Sequence, residues 1–303
     1  MTSKILKKTK LSENVFRMTL EAPLIARERK AGQFVILRCD AEFGERIPLT
    51  IADADEKAGT IDIIFQTVGV STKRLSRLNE GDVLPDLVGP LGRPTEIPAA
   101  REVSRRTEAD SVSRATREGS RSRVIVVGGG IGVAPAHPIA QAMKAAGNHV
   151  TVIMGARTKD LVIMEDEMRK VADELIVVTD DGSYGRKGLV TEPLKEIIEL
   201  SNNQNDPIAE VVVVGPPVMM KFCALTTKPF GVKTIASLNA IMIDGTGMCG
   251  GCRVSVGGET KFVCVDGPEF DAHQVDFDSF INRLGAFKAE EADHKCRSGL
   301  FGN

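Results

Sequence analysis

Short stretches of apolar or alternating residues recur along the first 97 residues, and turns such as Ala31-Gly32 and Glu80-Gly81 separate them. This spacing is typical of a small antiparallel β-barrel. The pattern predicts one short helix over 72–78. It predicts strands over 15–20, 34–38, 49–52, 60–68 and 82–88.

From Val124 onward the pattern changes to strands that are apolar throughout and that alternate with helices. Strands without a polar face belong in a parallel sheet that helices cover on both sides. The predicted strands are 124–127, 150–154, 175–178 and 210–214, and the predicted helices are 135–146, 164–171 and 190–200. The sequence therefore predicts an α/β domain over 124–236.

Three further segments complete the predicted organisation. Residues 98–123 carry seven arginines and few apolar residues, so we expect a solvated insertion between domains rather than a basic binding arm. Residues 237–285 are rich in Gly and Cys, and 286–303 form a polar tail. The predicted domains are thus 1–97, 124–236 and 237–285.

The composition and charge of the chain limit the kinds of function that we expect. The chain has 303 residues, a formal charge of −2, no Trp and one Tyr. We therefore expect no nucleic-acid partner, because such modules carry a basic face or aromatic stacking platforms. The N-terminus has no apolar run typical of a signal peptide, and no stretch is long and apolar enough to span a membrane, so we expect a cytoplasmic protein.

A glycine-rich loop follows the first strand of the α/β domain. Glycines let the backbone approach a pyrophosphate, and N–H groups at the start of the next helix attract its charge. Val133 stands where the dinucleotide fingerprint has its third glycine, so a tight turn that binds nothing remains an alternative. The candidate residues of this loop are Gly128, Gly129, Gly130, Ile131, Gly132 and Pro135.

Three more groups follow later strands and would meet the glycine loop at the carboxyl edge of the sheet. They are Arg157, Asp181, Gly215, Pro216 and Pro217. Arg157 could hold a 2′-phosphate, stack on adenine or face solvent, so the choice between NAD(H) and NADP(H) stays open. Cys223 follows the third of these loops and is either a residue near the nicotinamide or a buried core thiol.

The barrel contains an Arg-x-Pro-Leu-Thr strand and a Gly-x-Ser-Thr helix start, which alone would be ordinary surface features. Their order before a glycine-loop domain resembles the ferredoxin-NADP reductase superfamily, in which the barrel binds FAD and the second domain binds the nicotinamide. The resemblance implies FAD contacts from Arg46, Pro48, Leu49, Thr50, Phe65, Gln66, Gly69, Ser71 and Thr72. Pro48 replaces the aromatic residue usual in the superfamily, as in dihydroorotate dehydrogenase electron-transfer subunits.

The C-terminal segment has the spacing Asp-x4-Cys-x2-Cys-x11-Cys, formed by Asp244, Cys249, Cys252 and Cys264. It is the plant-type 2Fe-2S spacing with Asp in the place of the first ligand, and its glycines allow the loop to wrap a cluster. A structural zinc site and unmetallated thiols are the alternatives. Asp266 and Cys296 are rival candidates for the fourth ligand.

The segment from Ser237 through Cys252 is similar to the small (alpha) subunit of NADH-dependent reduced ferredoxin:NADP oxidoreductases and to sulfide dehydrogenase beta subunits. The related dihydroorotate dehydrogenase subunit has four cysteines, so Asp244 favours the first group. The resemblance implies NAD(H) or NADP(H), FAD and a 2Fe-2S cluster. It also implies a larger iron–sulfur flavoprotein subunit as partner, in a heterodimer or larger assembly, and ferredoxin reached through that subunit.

We therefore expect a β + α/β chain: an antiparallel flavin-binding β-barrel, a parallel-sheet nucleotide-binding domain and a small C-terminal 2Fe-2S domain. The expected function is electron transfer between NAD(P)H, FAD and the cluster, with no catalytic acid–base side chain. Electron bifurcation is compatible with this expected function. The alternatives are the equivalent subunit of a dihydroorotate or sulfide dehydrogenase and, in another class, a non-catalytic structural-zinc protein.

Overall fold

A computed structural model describes residues 2–42, 44–98 and 121–286 of the chain. Residues 99–120 of the predicted insertion and 287–303 of the predicted tail, including Cys296, lie outside the described residues. The predicted order of an antiparallel barrel followed by a largely parallel sheet is confirmed. Within the described part of the chain, every helix is too short or too polar to cross a membrane.

The barrel is one seven-stranded antiparallel sheet whose strand order is β6-β1-β2-β5-β4-β3-β7. Its edge strands are neighbours in sequence, so the sheet curls until it nearly closes. The strands are β1 (Ser3–Ser12), β2 (Val15–Glu21), β3 (Phe34–Arg38), β4 (Ile47–Asp55), β5 (Thr60–Gln66), β6 (Val83–Leu84) and β7 (Asp86–Leu91). Two short helices, α1 (Pro23–Glu28) and α2 (Val70–Leu75), lie between them.

The barrel differs from the sequence prediction in four places. The pattern missed β1, because lysines fill most of its outward positions and leave few apolar ones, and it missed α1. The strand predicted over 82–88 is two strands separated by Pro85, which has no N–H for a ladder hydrogen bond. Helix α2 begins at Val70, where the Thr72 hydroxyl caps Gly69.

The second sheet has the order β11-β10-β9-β8-β12-β13-β16. All its pairs are parallel except the last, in which β16 runs antiparallel to β13. Its strands are β8 (Arg123–Gly129), β9 (His149–Ala156), β10 (Glu174–Thr179), β11 (Arg186–Lys187), β12 (Ile208–Val214), β13 (Thr234–Ser237) and β16 (Glu269–Asp271). Four helices cover it: α3 (Val133–Ala145), α4 (Glu165–Val171), α5 (Thr191–Asn203) and α6 (Pro217–Thr227).

The strands of the second sheet that lie within 124–236 are all parallel, as predicted, and β16 from the C-terminal segment adds an antiparallel edge strand. Helix α3 begins at Val133 rather than at Pro135, because a proline in the first turn lacks only an N–H that would have no helical partner. Helix α6 and strands β11 and β13 were not predicted.

The C-terminal segment carries the hairpin of β14 (Arg253–Val256) and β15 (Glu259–Phe262), followed by α7 (Val263–Asp266) and α8 (Phe277–Leu284). It shares its core with the rest of the molecule. One apolar cluster joins Phe34 of the barrel, the α5 and α6 side of the second sheet, and Cys252 and Cys264. The barrel, the second sheet and the cysteine-rich segment are therefore packed against one another.

Candidate functional site

A cavity of about 260 Å³ lies where these three parts meet. Pro48 and Thr50 line it from the barrel, and Pro135 lines it from the start of α3. These three predicted site residues are far apart in sequence, and the fold brings them to one place. Ser237, Leu238, Asn239, Ala240, Met242 and Pro268 complete much of the wall.

Strand β4 explains why only some residues of the Arg-x-Pro-Leu-Thr motif face the cavity. Successive side chains of a strand point to opposite faces, so Pro48 and Thr50 share one face while Leu49 packs against the barrel core. Phe65 on β5 is also a core residue, stacked on Phe16 with the ring centroids 6.0 Å apart. Leu49 and Phe65 were predicted to contact FAD, but they pack in the barrel core and support the cavity-lining strand from inside the barrel.

Arg46 lies just before β4 and forms an ion pair with Asp86, with Nη2 to Oδ2 at 3.1 Å. Its Nε atom is buried without a hydrogen-bond partner, as is the Nε atom of Arg38. Glu45, which precedes Arg46 in the sequence, accepts a hydrogen bond from the Ser71 hydroxyl at 2.9 Å. Unsatisfied guanidinium donors and a hydroxyl that already binds an anionic group suit a phosphate-containing ligand.

The Gly69-to-Thr72 turn is held by its own hydrogen bonds. The Gly69 N–H donates to the Thr72 hydroxyl, which in turn donates to the Gly69 carbonyl, both at 3.1 Å. Thr72 therefore fixes the start of α2, while Ser71 keeps a hydroxyl that can exchange one anion for another. Gln66, at the end of β5, is half-buried.

The glycine loop after β8 packs against the loop after β12. A Cβ atom on Gly132 would lie 2.4 Å from the Val214 carbonyl oxygen, and one on Gly129 would lie 2.3 Å from Met219 Sδ. Gly130 instead has φ of +55° and open space around it, and Ile131 is partly buried against the α3 side of the core. Gly129 and Gly132 thus let two loops approach closely, and Gly130 provides the left-handed turn that exposes backbone to a ligand.

The remaining nucleotide-site candidates lie at the same edge of the sheet. Arg157 is exposed just past β9, and its carbonyl accepts the Asp181 N–H at 3.3 Å. The N–H and hydroxyl of Ser183 both donate to Asp181 and hold the pKa of that carboxyl below its ordinary value. Gly215, Pro216 and Pro217 lead from β12 into α6. All five candidates therefore lie beyond the carboxyl ends of parallel strands, where ligands bind in such sheets.

The cysteine-rich loop, residues 244–252, is shaped by its glycines and by Asp244. The Asp244 carboxylate accepts the N–H groups of Thr246, Met248 and Cys249 at 2.9 to 3.1 Å. Desolvation opposes its ionisation, but the N–H groups of Thr246 and Cys249 outweigh it and hold the pKa of Asp244 below its ordinary value. Gly245, with φ of +75°, packs so closely on Ile36 that a Cβ atom would lie 2.5 Å from its Cδ1. The loop is thus seated on the barrel.

Two of the three candidate thiols are in contact. Cys252 Sγ and Cys264 Sγ lie 3.2 Å apart, both are buried, and the Gly247 N–H hydrogen-bonds Cys264. Burial and the neighbouring Cys252 raise the pKa of Cys264 to about 12, so a metal would have to displace its proton. Cys249 is exposed, and its sulfur accepts the Gly251 N–H at 3.4 Å.

The donor set fits two irons better than one zinc. Among the residues that the structure describes, no three His, Cys, Asp or Glu side chains are close enough to hold one ion. A structural zinc needs four ligands around one ion, whereas the irons of a 2Fe-2S cluster divide four ligands into pairs. Cys252 and Cys264, whose sulfurs are in contact, are candidates for one such pair, and Asp244 and Cys249, which are joined by a hydrogen bond, are candidates for the other.

The structure also places the rival residues. The Asp266 carboxylate accepts the Phe262 N–H at 2.7 Å and lies 3.6 Å from Arg93, so it is engaged in holding α7 to the barrel. Cys223 is fully buried in the apolar core, and its burial raises the pKa of its thiol to about 12. Cys223 is therefore the core thiol of the two alternatives.

Sequence reasoning missed Ser237 and Asn239, which line the cavity. The cavity wall takes all four consecutive residues 237–240, of which Leu238 and Ala240 are buried. A strand assignment for 234–237 would have placed the start of this run at the carboxyl edge of the sheet. Phe34 was also missed as a cavity residue, because a buried aromatic on a barrel strand is more often a core residue.

Known proteins match the two C-terminal parts by domain. Residues 126–224 match an oxidoreductase NAD-binding domain. Residues 239–276 match the iron–sulfur cluster binding domain of dihydroorotate dehydrogenase B. The second match includes all four candidate cluster ligands, Asp244, Cys249, Cys252 and Cys264.

Longer similarities cover nearly the whole chain. An uncharacterized protein of Clostridium beijerinckii is 48% identical over 288 residues, which are 95% of this chain and 91% of the relative. A protein of Thermotoga maritima, named as a homolog of the dihydroorotate dehydrogenase B (NAD(+)) electron transfer subunit, is 43% identical over 289 residues, 95% of this chain and 93% of its own. A chain in a structure of NADH-dependent reduced ferredoxin-NADP oxidoreductase, solved to study flavin-based electron bifurcation, is 42% identical with a TM-score of 0.84 and 98% coverage of both chains.

Proposed function

This chain belongs to the family of dihydroorotate dehydrogenase B electron-transfer subunits and their homologues, and from that premise we propose that it transfers electrons between NADH, FAD and a 2Fe-2S cluster. The family resemblance expected from the motifs is confirmed, and the chain is an oxidoreductase subunit. When bound, FAD would take an electron pair as hydride and release electrons singly to the cluster.

The barrel residues that would hold FAD do so by charge and shape. Arg46, kept in place by Asp86, would direct its unpartnered Nε toward the pyrophosphate, and the Ser71 hydroxyl would exchange the Glu45 carboxylate for a phosphate oxygen. Pro48 and Thr50 would border the flavin ring in the cavity. Buried apolar neighbours such as Phe34 exclude water from the same space.

The second sheet would hold the dinucleotide at its carboxyl edge. The Gly128–Gly132 loop would cradle the pyrophosphate, and the Gly215 loop packed against it would bring the nicotinamide toward the cavity. We propose NADH rather than NADPH because the relatives are named as NAD(+)-dependent or NADH-dependent. A ratio of kcat/KM for NADH over NADPH above one tests this choice, and a ratio below one contradicts it.

The cysteine-rich loop would hold the cluster as two ligand pairs. Cys252 and Cys264, whose sulfurs are already 3.2 Å apart, would bind one iron. Asp244 and Cys249 would bind the other. The carboxylate oxygen of Asp244 is a harder donor than a thiolate sulfur, so the two irons would have different ligand environments.

One observation carries this proposal: five of the six residues from Ser237 to Met242 line the same cavity as Pro48, Thr50 and Pro135, and Asp244 follows two residues later. The segment that holds the candidate cluster ligands therefore begins at the wall of the candidate flavin and nicotinamide site. Such adjacency is what successive electron transfers need, and it requires no acid–base side chain.

The experiment is an analysis of the purified chain, isolated without oxygen. We expect flavin, iron and inorganic sulfide in the protein, together with NADH-dependent reduction of an artificial dye. A colourless chain that contains zinc and does not reduce the dye would support the structural-zinc protein instead.

We further propose that the partner is a larger iron–sulfur flavoprotein subunit, which exchanges electrons with ferredoxin, and that the assembly works in the cytoplasm, where thiols stay reduced. The 42% identity to a chain of ferredoxin-NADP oxidoreductase, together with Asp244 at the first ligand position, favours this partner. Affinity purification of the tagged chain from its native host tests it. Recovery of a dihydroorotate or sulfide dehydrogenase subunit instead would contradict it.

A further inference from the structure

Two arginines bind consecutive carbonyl groups in the middle of the cysteine-rich loop. Arg253 Nη1 donates to the Gly250 carbonyl at 3.2 Å, and Arg283 Nη2 donates to the Gly251 carbonyl at 3.1 Å. Gly250 and Gly251 are the two residues between Cys249 and Cys252. The two guanidinium groups thus hold the backbone between two candidate cluster ligands.

The two arginines reach the loop from different elements. Arg253 begins β14, directly after Cys252, whereas Arg283 lies in the last turn of α8. Helix α8 is itself firmly placed: the Asp276 side chain caps its first turn at 3.0 Å, and Phe277 and Phe280 are buried. Arg283 therefore presents its charge from a fixed support rather than from the loop itself.

The two arginines differ from Arg93 in their ion pairing within the part of the chain that the structure describes. Within the described ranges, Arg253 and Arg283 form no ion pair with a carboxylate, whereas Arg93, also beside this segment, pairs with Asp266. Since a glycine-rich backbone loses much conformational freedom when it is ordered, hydrogen bonds to its carbonyls are needed to keep one conformation. No carboxylate of the described residues therefore offsets the two positive charges, which can act on a group that the loop holds.

We propose that Arg253 and Arg283 form an arginine clamp that holds the loop in its ligand-binding conformation and makes the cluster easier to reduce. The proposal rests on the proposed function, because it needs a cluster on Asp244, Cys249, Cys252 and Cys264. With one carboxylate and three thiolates as ligands, a 2Fe-2S site is already negative, and reduction adds one more negative charge. Nearby cations stabilise the reduced form more than the oxidised form and so raise the potential.

The two arginines should affect the cluster potential by different amounts. Arg283 is half-buried and Arg253 is exposed. Solvent and salt screen exposed charges more strongly, so removal of the Arg283 charge should lower the potential more than removal of the Arg253 charge. Both are positioning residues, because they act on the cluster through the loop and its field.

The test uses the full chain with its cofactors. Arg283→Gln and Arg253→Gln remove each charge, Arg283→Lys keeps the charge, and Arg27→Gln removes an exposed arginine of α1 as the matched control. The measurements are iron and sulfide content, the EPR spectrum, the cluster midpoint potential by redox titration, and the rate of iron release to a chelator.

We expect Arg283→Gln to shift the redox equilibrium against the reduced cluster about tenfold, equivalent to ~59 mV for one electron. It should also release iron faster. Arg253→Gln should show a smaller shift in the same direction, while Arg283→Lys and Arg27→Gln should keep a potential close to that of the unaltered chain.

An unchanged potential in a fully loaded Arg283→Gln variant would overturn the proposal. If that variant loses its cluster, Arg253→Gln decides: a lowered potential supports the clamp and an unchanged one overturns it. An unaltered chain without iron and sulfide would overturn the proposed function itself, and the clamp with it.

Discussion

Asp244 is the residue on which the chemistry of the cysteine-rich loop depends most. Its carboxylate accepts three backbone N–H groups of its own loop, so it organises that loop whether or not it binds iron. Variants must therefore separate the two roles. Asn at position 244 keeps an oxygen that can accept the N–H groups of the loop, but it loses the anionic ligand. Cys at the same position provides an anionic ligand, but its acceptor atom is sulfur.

We expect Asp244→Cys to retain a 2Fe-2S cluster with altered EPR g-values and a shifted midpoint potential, since thiolate completes the ordinary four-cysteine set. Asp244→Asn should fold but hold iron less firmly, because the neutral amide is a weaker ligand. Iron content and EPR spectra of the two variants measure this. Spectra and potentials identical to those of the unaltered chain in both would show that Asp244 is not a ligand.

At the scale of elements, the packing of the β8 and β12 loops is the feature most sensitive to small changes. Gly132 leaves no room for a Cβ atom, which would lie 2.4 Å from the Val214 carbonyl oxygen and 2.7 Å from Gly215 Cα. These neighbours are backbone atoms, so relief requires that one loop moves. The same movement would separate the two loops that we propose for the dinucleotide.

Gly132→Ala should therefore lower the free energy of unfolding by about 1–3 kcal/mol, the usual cost of overpacking. It should also weaken NADH binding, while flavin content stays unchanged because the barrel is not involved. Chemical denaturation and NADH titration measure the two effects. For stability alone, Gly69→Ala is the matched control, since its added methyl group meets nothing within 4 Å. Equal stability and NADH affinity for Gly132→Ala and the unaltered chain would refute the close-packing argument.

The elements also show which parts of the fold can be predicted from sequence. Strands β3 and β5 and the apolar strands of the second sheet can be predicted from local patterns, because the order of apolar and polar residues along each strand matches which of them are buried. Strand β1 could not be predicted in this way, because it is a strand by its pairing with β2 and β6 and not by its own composition. Strand β16 likewise depends on a partner, β13, that lies far away in sequence.

At the scale of the whole molecule, a network of acids that range from buried to exposed joins the three parts. Glu269 on β16 accepts the Thr95 hydroxyl at 2.6 Å, and Thr95 lies just beyond the barrel. Lys233 binds Glu210, whose side chain is only 2% exposed, and lies 3.9 Å from Glu96. Burial, with the charges of Glu210 and Glu96, raises the pKa of Glu269 to about 7, although Thr95 and Lys233 act in the opposite direction.

This raised pKa predicts how stability changes with pH. Glu269 contributes its full stability below the ordinary pKa of Glu, and that contribution is lost as pH rises through about 7, because the folded protein must then bury the ionised form. Glu269→Gln should remove this part of the loss. We expect it to be more stable than the unaltered chain at pH 8, by about 1–3 kcal/mol, and close to it at pH 5.

Chemical denaturation at the two pH values tests this expectation. Exposed Glu259→Gln, in the β14–β15 hairpin, is a control for the removal of one negative charge. A stability difference between Glu269→Gln and the unaltered chain that is the same at pH 5 and pH 8 would contradict the assignment.

The candidate site shows the same division between local and distant information. The motifs around Arg46, the glycine loop and the cysteines could be recognised because each is a short run with its own chemistry. The cavity could not, since Thr50, Pro135 and Asn239 become neighbours only when barrel, sheet and C-terminal segment pack together. The contact between Arg283 and Gly251 is equally invisible in the sequence.

The central claim is that one chain passes electrons from NADH through its flavin to a 2Fe-2S cluster. The most direct measurement is an anaerobic titration of the purified chain with NADH, followed by visible absorbance and by EPR of samples frozen at each step. The account predicts that NADH bleaches the flavin and produces the EPR signal of a reduced 2Fe-2S cluster, and that Cys252→Ala keeps the bleaching but loses the signal. A flavin and a cluster that dithionite reduces but NADH does not would contradict it.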